Sequence, residues 1–340
     1  MNELARNELL DAHGRAVRYL RVSVTDRCNL SCRYCRDKDM PFIPHESILR
    51  FEEMEEIIGL AVSMGVRKLR FTGGEPFVRK GFMDFLRRIR LAHPGIGLRI
   101  TSNGTLLGQH IEELKELDAM VNLSLDTLDR SRFAEITGSD LLPELLANLE
   151  RMAGLGIPLK VNAVAMRGHS EQELPKLAAL AMDHPIDVRF IEFMPMGEDS
   201  IWSDSLFWPY AEILAAAREH WELVPCDDDN RNAEERGPAK LWKLKDKAGR
   251  LSAGRFGLIS SVTHSFCQSC NRLRLTADGQ IRTCLYDDRE WPVRDVLRKE
   301  GIEAVRRVII DAVAHKPIGS DILAQSSGPV ALKRMSAIGG

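Results

Sequence analysis

With 340 residues, 44% of them hydrophobic and 28% charged, the chain has the make-up of a globular protein with a large buried core. Its net charge of −2 excludes the global positive field that draws nucleic acid or anionic membranes. The Met1–Arg21 segment is too charged for a secretory signal and no run of about 18 apolar residues occurs, so a cytoplasmic protein with no membrane span and no nucleic-acid partner is expected.

From Arg18 to Met196, short apolar segments alternate with amphipathic ones. Strands are predicted at Tyr19–Thr25, Lys68–Thr72, Leu98–Ser102, Met120–Leu125, Leu159–Ala165 and Val188–Phe193. Helical spacing lies between them, as in Phe51, Met54, Ile57, Ile58 and Ala61, and again in Leu141, Leu142, Leu145, Leu146, Leu149 and Met152. Strands joined by helices imply parallel crossovers. Six such units are too few for a closed eight-stranded barrel, so the fold expected is α/β, an open partial (β/α)6 TIM-like barrel.

Polar and glycine-rich residues follow these strands: Cys28 to Cys35 the first, Gly73-Gly74-Glu75-Pro76 the second, Asn103-Gly104 the third. Asp126 closes the fourth, and Met194 follows the sixth. Ligands of parallel α/β folds bind at the carboxyl ends of the strands, so these motifs share one rim. After Met196 the alternation breaks down into the tryptophan-punctuated segment Trp202–Arg236, then Trp242–Leu251, and a helical pattern over Trp291–Val313. Two domains are expected, 1–196 as the barrel and 197–340 as a smaller C-terminal domain.

Six of the seven cysteines form two triads, and Cys226 stands alone. Cys28, Cys32 and Cys35 make a C-x3-C-x2-C loop directly after the first strand. Three thiolates on one loop can ligate three irons of a cubane cluster and leave the fourth open. The rival reading is structural zinc with a fourth ligand. Cys267-Gln-Ser-Cys270 and, thirteen residues on, Cys284 offer either a second cubane with an open iron or a zinc completed by a residue such as His264. Arg272 and Arg274 lie two apart between them, so on an extended segment they point to one side and can grip one polyanion. No G-x4-G-K-[ST] loop occurs, which leaves phosphate binding to side chains.

The cysteine loop with Tyr34 inside it, followed by Thr72-Gly73-Gly74-Glu75-Pro76, resembles the radical S-adenosylmethionine superfamily. The second triad with Asn271-Arg272-Leu273-Arg274, and a chain ending in Gly339-Gly340, resembles the GTP 3′,8-cyclase family of that superfamily, lyases that begin molybdenum cofactor (molybdopterin) biosynthesis. This resemblance implies two [4Fe–4S] clusters and S-adenosylmethionine as cofactors. Cys28, Cys32 and Cys35 would hold the first cluster, and Cys267, Cys270 and Cys284 the second, whose open iron meets the guanine ring. Tyr34, Gly74, Ser124 and Met194 would contact S-adenosylmethionine. Arg21, Arg70, Thr101, Lys160, Arg272, Leu273 and Arg274 would contact GTP, with Leu273 lending backbone. Thr105 is the alternative to Thr101. Arg272, Arg274, Gly339 and Gly340 would act at the reacting centre. A 5′-deoxyadenosyl radical would convert GTP to a 3′,8-cyclised nucleotide. The partners implied are a flavodoxin- or ferredoxin-like electron donor, a downstream cyclic pyranopterin monophosphate synthase and a second copy of the chain in a homodimer. After Lys316-Pro317 the chain reads Ile318-Gly319-Ser320, where relatives commonly place a histidine nearby.

Overall fold

The computed structural model describes residues 8–35, 41–197, 201–226, 237–326, 330, 331 and 338. The chain divides into two compact units, neither continuous in sequence: Met1–Thr101 with Met196–Ser200 and Cys267–Gly340, and Ser102–Pro195 with Ile201–Phe266.

The first unit is built on β1 (Tyr19–Ser23), β2 (Lys68–Thr72) and β3 (Gly97–Ser102). The second is built on β4 (Met120–Ser124), β5 (Leu159–Ala165), β6 (Asp187–Glu192), β7 (Glu222–Pro225), β8 (Lys240–Lys245) and β9 (Arg255–Ile259). The first unit adds β10 (Arg272–Leu275), β11 (Gln280–Arg282) and β12 (Trp291–Pro292). All six strands predicted before Met196 are present within one or two residues of their predicted ends.

In the first unit the strand order is β12-β11-β10-β1-β2-β3, with β10, β1, β2 and β3 parallel and the other two antiparallel. The second unit repeats the plan in the order β4-β5-β6-β9-β8-β7, parallel from β4 to β9 and antiparallel beyond. Each unit therefore takes a parallel strand from the C-terminal half of the chain, where sequence periodicity was silent. The strands concerned, RLRL and RFGLI, are too short to show a pattern.

Fully buried parallel strands usually read as unbroken apolar runs. Here they alternate. Leu20, Val22, Leu69, Phe71, Leu98, Ile100, Leu273 and Leu275 are all buried. They form the apolar face that helices Phe51–Ser63, Phe82–Ala92 and Ile302–Ala314 cover with Met54, Ile57, Phe85, Leu86, Val305 and Ile309. Phe71 meets the edge of Phe85 with ring centroids 5.3 Å apart. Burying a side chain of this size contributes about 1.5–3 kcal/mol, so this layer fixes the strand register. The helical pattern over Trp291–Val313 resolves into more than one element. The chain there forms β12, a helix at Arg294–Glu300 and a second at Ile302–Ala314, broken at Gly301, whose φ of 82° lies in the left-handed region.

Candidate active site

The register places the polar residues of the first unit on the face opposite that apolar layer. Arg274, Arg21 and Arg70 lie side by side on three neighbouring parallel strands, with Arg272, Tyr19 and Lys68 forming the next row. Residues in register across parallel strands point to the same side, so these rows present one continuous cationic surface. Thr101 joins it from β3 and accepts a hydrogen bond from Arg70 Nη1 at 3.0 Å. Thr105 instead bonds Asn103 Oδ1 at 2.8 Å within its own turn. Thr101 therefore lies on the cationic face of the first unit. Leu273 points the other way, lining a small apolar gap with Leu9, Leu20, Ile57 and Ile309, so only its backbone is on offer to a ligand.

The cations are held at an electrostatic cost. Burial, then repulsion from Arg274, Arg70 and Arg272, pushes Arg21 well below the usual arginine range, with Tyr19 opposing. Its buried Nε has no hydrogen-bond partner among the described residues. Burial and Arg272 bring Arg274 down to about 10. By contrast Arg282, in register with Arg274 on β11, is engaged by Glu290 at 3.0 Å and Asp288 at 3.4 Å. A buried cation without an acid is expensive unless an anion comes to it. Tyr19, which neither composition nor spacing singled out, sits among these cations. Its hydroxyl accepts from Arg70 Nε, and Lys68 Nζ and the Arg272 guanidinium lie 5.5 and 5.9 Å from its ring centre. Burial raises its phenol, but Arg70, Arg21 and Arg272 together outweigh that and bring it to about 8.

The first cysteine loop leaves β1 beside this face. Its base is gripped by the turn after β2: Gly74 N donates to Thr25 O at 2.7 Å and Glu75 N to Arg27 O at 2.8 Å. A Cβ on Gly74 would sit 2.1 Å from Arg27 O, and one on Gly73 2.2 Å from Thr25 O, so both glycines are required for backbone to pass backbone. Within the loop, Leu30 N points to Cys28 Sγ at 3.4 Å and Cys35 N closes a turn onto Cys32 O at 2.9 Å. None of the three thiols is in a disulfide, all are half-buried, and Tyr34 shares their loop.

The second triad gathers at the open end of the β10–β11 hairpin, which explains its long spacing. The hairpin runs Arg274 opposite Arg282, so its two arms carry Cys270 and Cys284 out of the same end. Cys267 Sγ and Cys284 Sγ converge on one point: a Cβ added to Gly319 would lie 3.3 Å from the first and 2.8 Å from the second. Gly319 therefore backs onto the sulfurs where any side chain would intrude. This is the fit expected of a thiolate-held group. Among the described residues no three His, Cys, Asp or Glu side chains already form a closed metal-binding set. His264, the candidate fourth ligand, packs edge-on against Tyr210 at 5.4 Å and lies 3.2 Å from Thr263 Oγ1.

In the second unit, Asn122, Lys160, Asp187 and Arg255 form one row across β4, β5, β6 and β9. Asp187 bonds Arg255 at 2.6 Å and lies 3.8 Å from Lys160. Ser124 ends β4 on that same face, and half-buried Met194 follows β6. Cys226 stands apart from both triads in sequence, its thiol pushed up by burial. Gly339 and Gly340 lie outside the described residues. Ile338 is described, 1% exposed, with its carbonyl accepting from Arg274 Nη1 at 3.4 Å.

Comparison with known proteins bears on the family and the fold. A family model described as Radical SAM superfamily matches residues 22–181, and one described as Molybdenum Cofactor Synthesis C matches 186–322. The fold is shared with a crystal structure of Streptococcus suis SuiB bound to S-adenosylmethionine (TM-score 0.59, 16% identity, 93% of this chain and 71% of that one). It is shared as well with native anSMEcpe with bound AdoMet (TM-score 0.60, 15% identity, 91% and 83%). A parallel α/β scaffold with a three-cysteine loop after its first strand, so matched, defines a radical S-adenosylmethionine enzyme. The GTP 3′,8-cyclase of Pelotomaculum thermopropionicum is 41% identical over 97% of this chain and 99% of its own length. That of Paracoccus denitrificans is 39% identical over 93% and 91%. The chain belongs to the GTP 3′,8-cyclase family. The cofactors that go with this membership are S-adenosylmethionine and an iron–sulfur cluster. No helix among the described residues is long and apolar enough to cross a membrane.

Proposed function

We infer that this chain binds GTP by its triphosphate on the cationic face of β10, β1 and β2 and joins C3′ of the ribose to C8 of the guanine. The reaction is the opening step of molybdenum cofactor biosynthesis. The observation that carries the reading is the in-register row Arg274, Arg21, Arg70, in which the buried Nε of Arg21 has no hydrogen-bond partner among the described residues.

Cys28, Cys32 and Cys35 would hold one [4Fe–4S] cluster, and Cys267, Cys270 and Cys284 a second. When bound, these clusters and S-adenosylmethionine supply an electron and a 5′-deoxyadenosyl radical. The chain's own part is to hold, orient and keep dry. Arg21, Arg70, Arg272 and Arg274 grip phosphate oxygens by charge-assisted hydrogen bonds, Thr101 steadies Arg70, and Leu273 contributes backbone. Lys160 is proposed as a further GTP contact, and Tyr34, Gly74, Ser124 and Met194 as contacts to S-adenosylmethionine. Residues 1–196 are proposed as the S-adenosylmethionine-using part and 197–340 as the part bearing the second cluster. A cytoplasmic setting, a homodimer, a flavodoxin- or ferredoxin-like donor and a downstream cyclic pyranopterin monophosphate synthase complete the reading. Anaerobic incubation of the reconstituted chain with S-adenosylmethionine, with and without GTP, tests it. Deoxyadenosine formation should depend on GTP and match the cyclised nucleotide, and formation that ignores GTP would overturn the substrate assignment.

Tyr19 makes the triphosphate reading testable by pH. Above about pH 8 its phenol is ionised and neutralises part of the arginine cluster. An arriving triphosphate repels that phenolate, so binding must take up a proton. GTP affinity should therefore fall by about tenfold per pH unit above 8, and Tyr19→Phe should flatten the dependence. Calorimetric titration at pH 7.5 and pH 9 compares the two.

The Gly339-Gly340 tail is proposed to enter the active site, a reading that the anchoring of Ile338 against Arg274 supports. A tag fused after Gly340 should leave GTP binding nearly intact and lower turnover by about 100-fold, because small misplacements of reacting atoms are costly. Unchanged turnover at matched iron content would count against it.

A further inference from the structure

Lys316 is 2% exposed, and no carboxylate pairs with it in an ion pair among the described residues. Its Nζ meets three acceptors: Arg272 O at 3.0 Å, Thr283 O, and Cys270 Sγ at 3.8 Å. An ammonium donates to all three at once when Cys270 is a thiolate, the form in which it would ligate a metal. The geometry is therefore that of a buried positive charge.

A second basic group stands nearby but differs in its charge balance. Arg15 Nε pairs with Asp11 at 2.6 Å, and its other nitrogens donate to Cys267 O, Lys316 O and Pro317 O at 2.7–3.2 Å. The Asp11–Arg15 pair is neutral and acts as a brace between the Cys267 loop and the Lys316 turn. Arg272 and Arg274 also bring positive charge toward the triad, but Lys316 is the cation whose Nζ lies within hydrogen-bond reach of a triad sulfur, Cys270 Sγ. It also ties together the arms that carry Cys270 and Cys284, because its other acceptors lie at Arg272 and Thr283.

We propose that Lys316 is a positioning residue that sets the reduction potential of the group held by Cys267, Cys270 and Cys284. This rests on the two-cluster reading above. Charge near a cluster and hydrogen bonds to its sulfurs are the levers a protein has on that potential. Reduction adds a negative charge within the field of the Lys316 ammonium, so this cation favours the reduced state. Hydrogen bonding to the sulfur acts in the same direction.

The experiment is an EPR-monitored redox titration of the anaerobically reconstituted full chain, with iron counted per chain. The wild type should give two waves. Lys316→Gln, which keeps a donor and removes the charge, should move one wave negative by at least about 59 mV, a tenfold change for one electron, while the other stays as an internal reference. Lys316→Arg, which keeps the charge, should leave both waves near their wild-type positions. A Gln variant that loads one cluster while the Arg variant loads two would show that Lys316 holds the group rather than tunes it, and would overturn the inference. Two full clusters with unmoved waves in Lys316→Gln would overturn the inference. So would loss of the second cluster from both variants. A wild type holding iron for one cluster only would overturn the two-cluster reading itself, and this inference with it.

Discussion

Arg21→Met should make the protein more stable and its GTP binding much weaker. Arg21 is drawn below its ordinary range by burial and by Arg274, Arg70 and Arg272, and its Nε has no partner among the described residues. In the ligand-free fold it contributes repulsion, and methionine fills similar volume without charge. The thermal midpoint should rise by at least about 2 °C, as expected for roughly 1 kcal/mol in a chain of this size. A triphosphate would lose one of its charged donors, about 1.5–3 kcal/mol, so the dissociation constant for GTP should rise roughly 10- to 150-fold. Calorimetry and thermal melts on the same preparation read both signs. A lower midpoint with unchanged affinity would show that Arg21 is a structural residue and would remove the main support for the triphosphate site.

Cys284→Ser separates the two triads. Cys284 leaves the hairpin beside Cys270 and, with Cys267, faces the bare backbone of Gly319; none of this touches the turn at Gly74 that braces the first loop. The variant should keep about half of the wild-type iron, retain some reductive cleavage of S-adenosylmethionine, and make no cyclised nucleotide. Iron and sulfide analysis with product chromatography checks all three. Equal iron loss from both sites would mean that the triads are not independent.

The parallel strands up to Met196 were legible because each is a short apolar run between helices with clear periodicity. The cysteine triads were legible because six thiols clustered in two groups is hard to explain as packing. Tyr19, Lys68 and Lys316 were not legible as site residues. The first two belong to the site only because register sets them beside Arg272 and Arg70, and Lys316 because a distant turn folds onto the hairpin. The break at Gly301 was missed because the apolar spacing of Leu297, Val305 and Ile309 continues across it, while the direction of the backbone does not. The alternation of β1, with Tyr19, Arg21 and Ser23 against Leu20 and Val22, was visible in the letters. What it meant required the neighbours.

The pairing of β1 with β10 has a consequence for the order in which the molecule can assemble. Arg15 and Cys267, which flank that pairing, are 252 residues apart along the chain. β1 must wait for a strand made long after it, and contacts so distant in sequence form late. Until then Arg21 and Arg70 have no Arg272 or Arg274 beside them, and Cys267, Cys270 and Cys284 have not been made. A ribosome-bound fragment that already carries the first cysteine loop would thus lack the full arginine row. β10, made long after β1 and β2, is the strand that completes the arginine row.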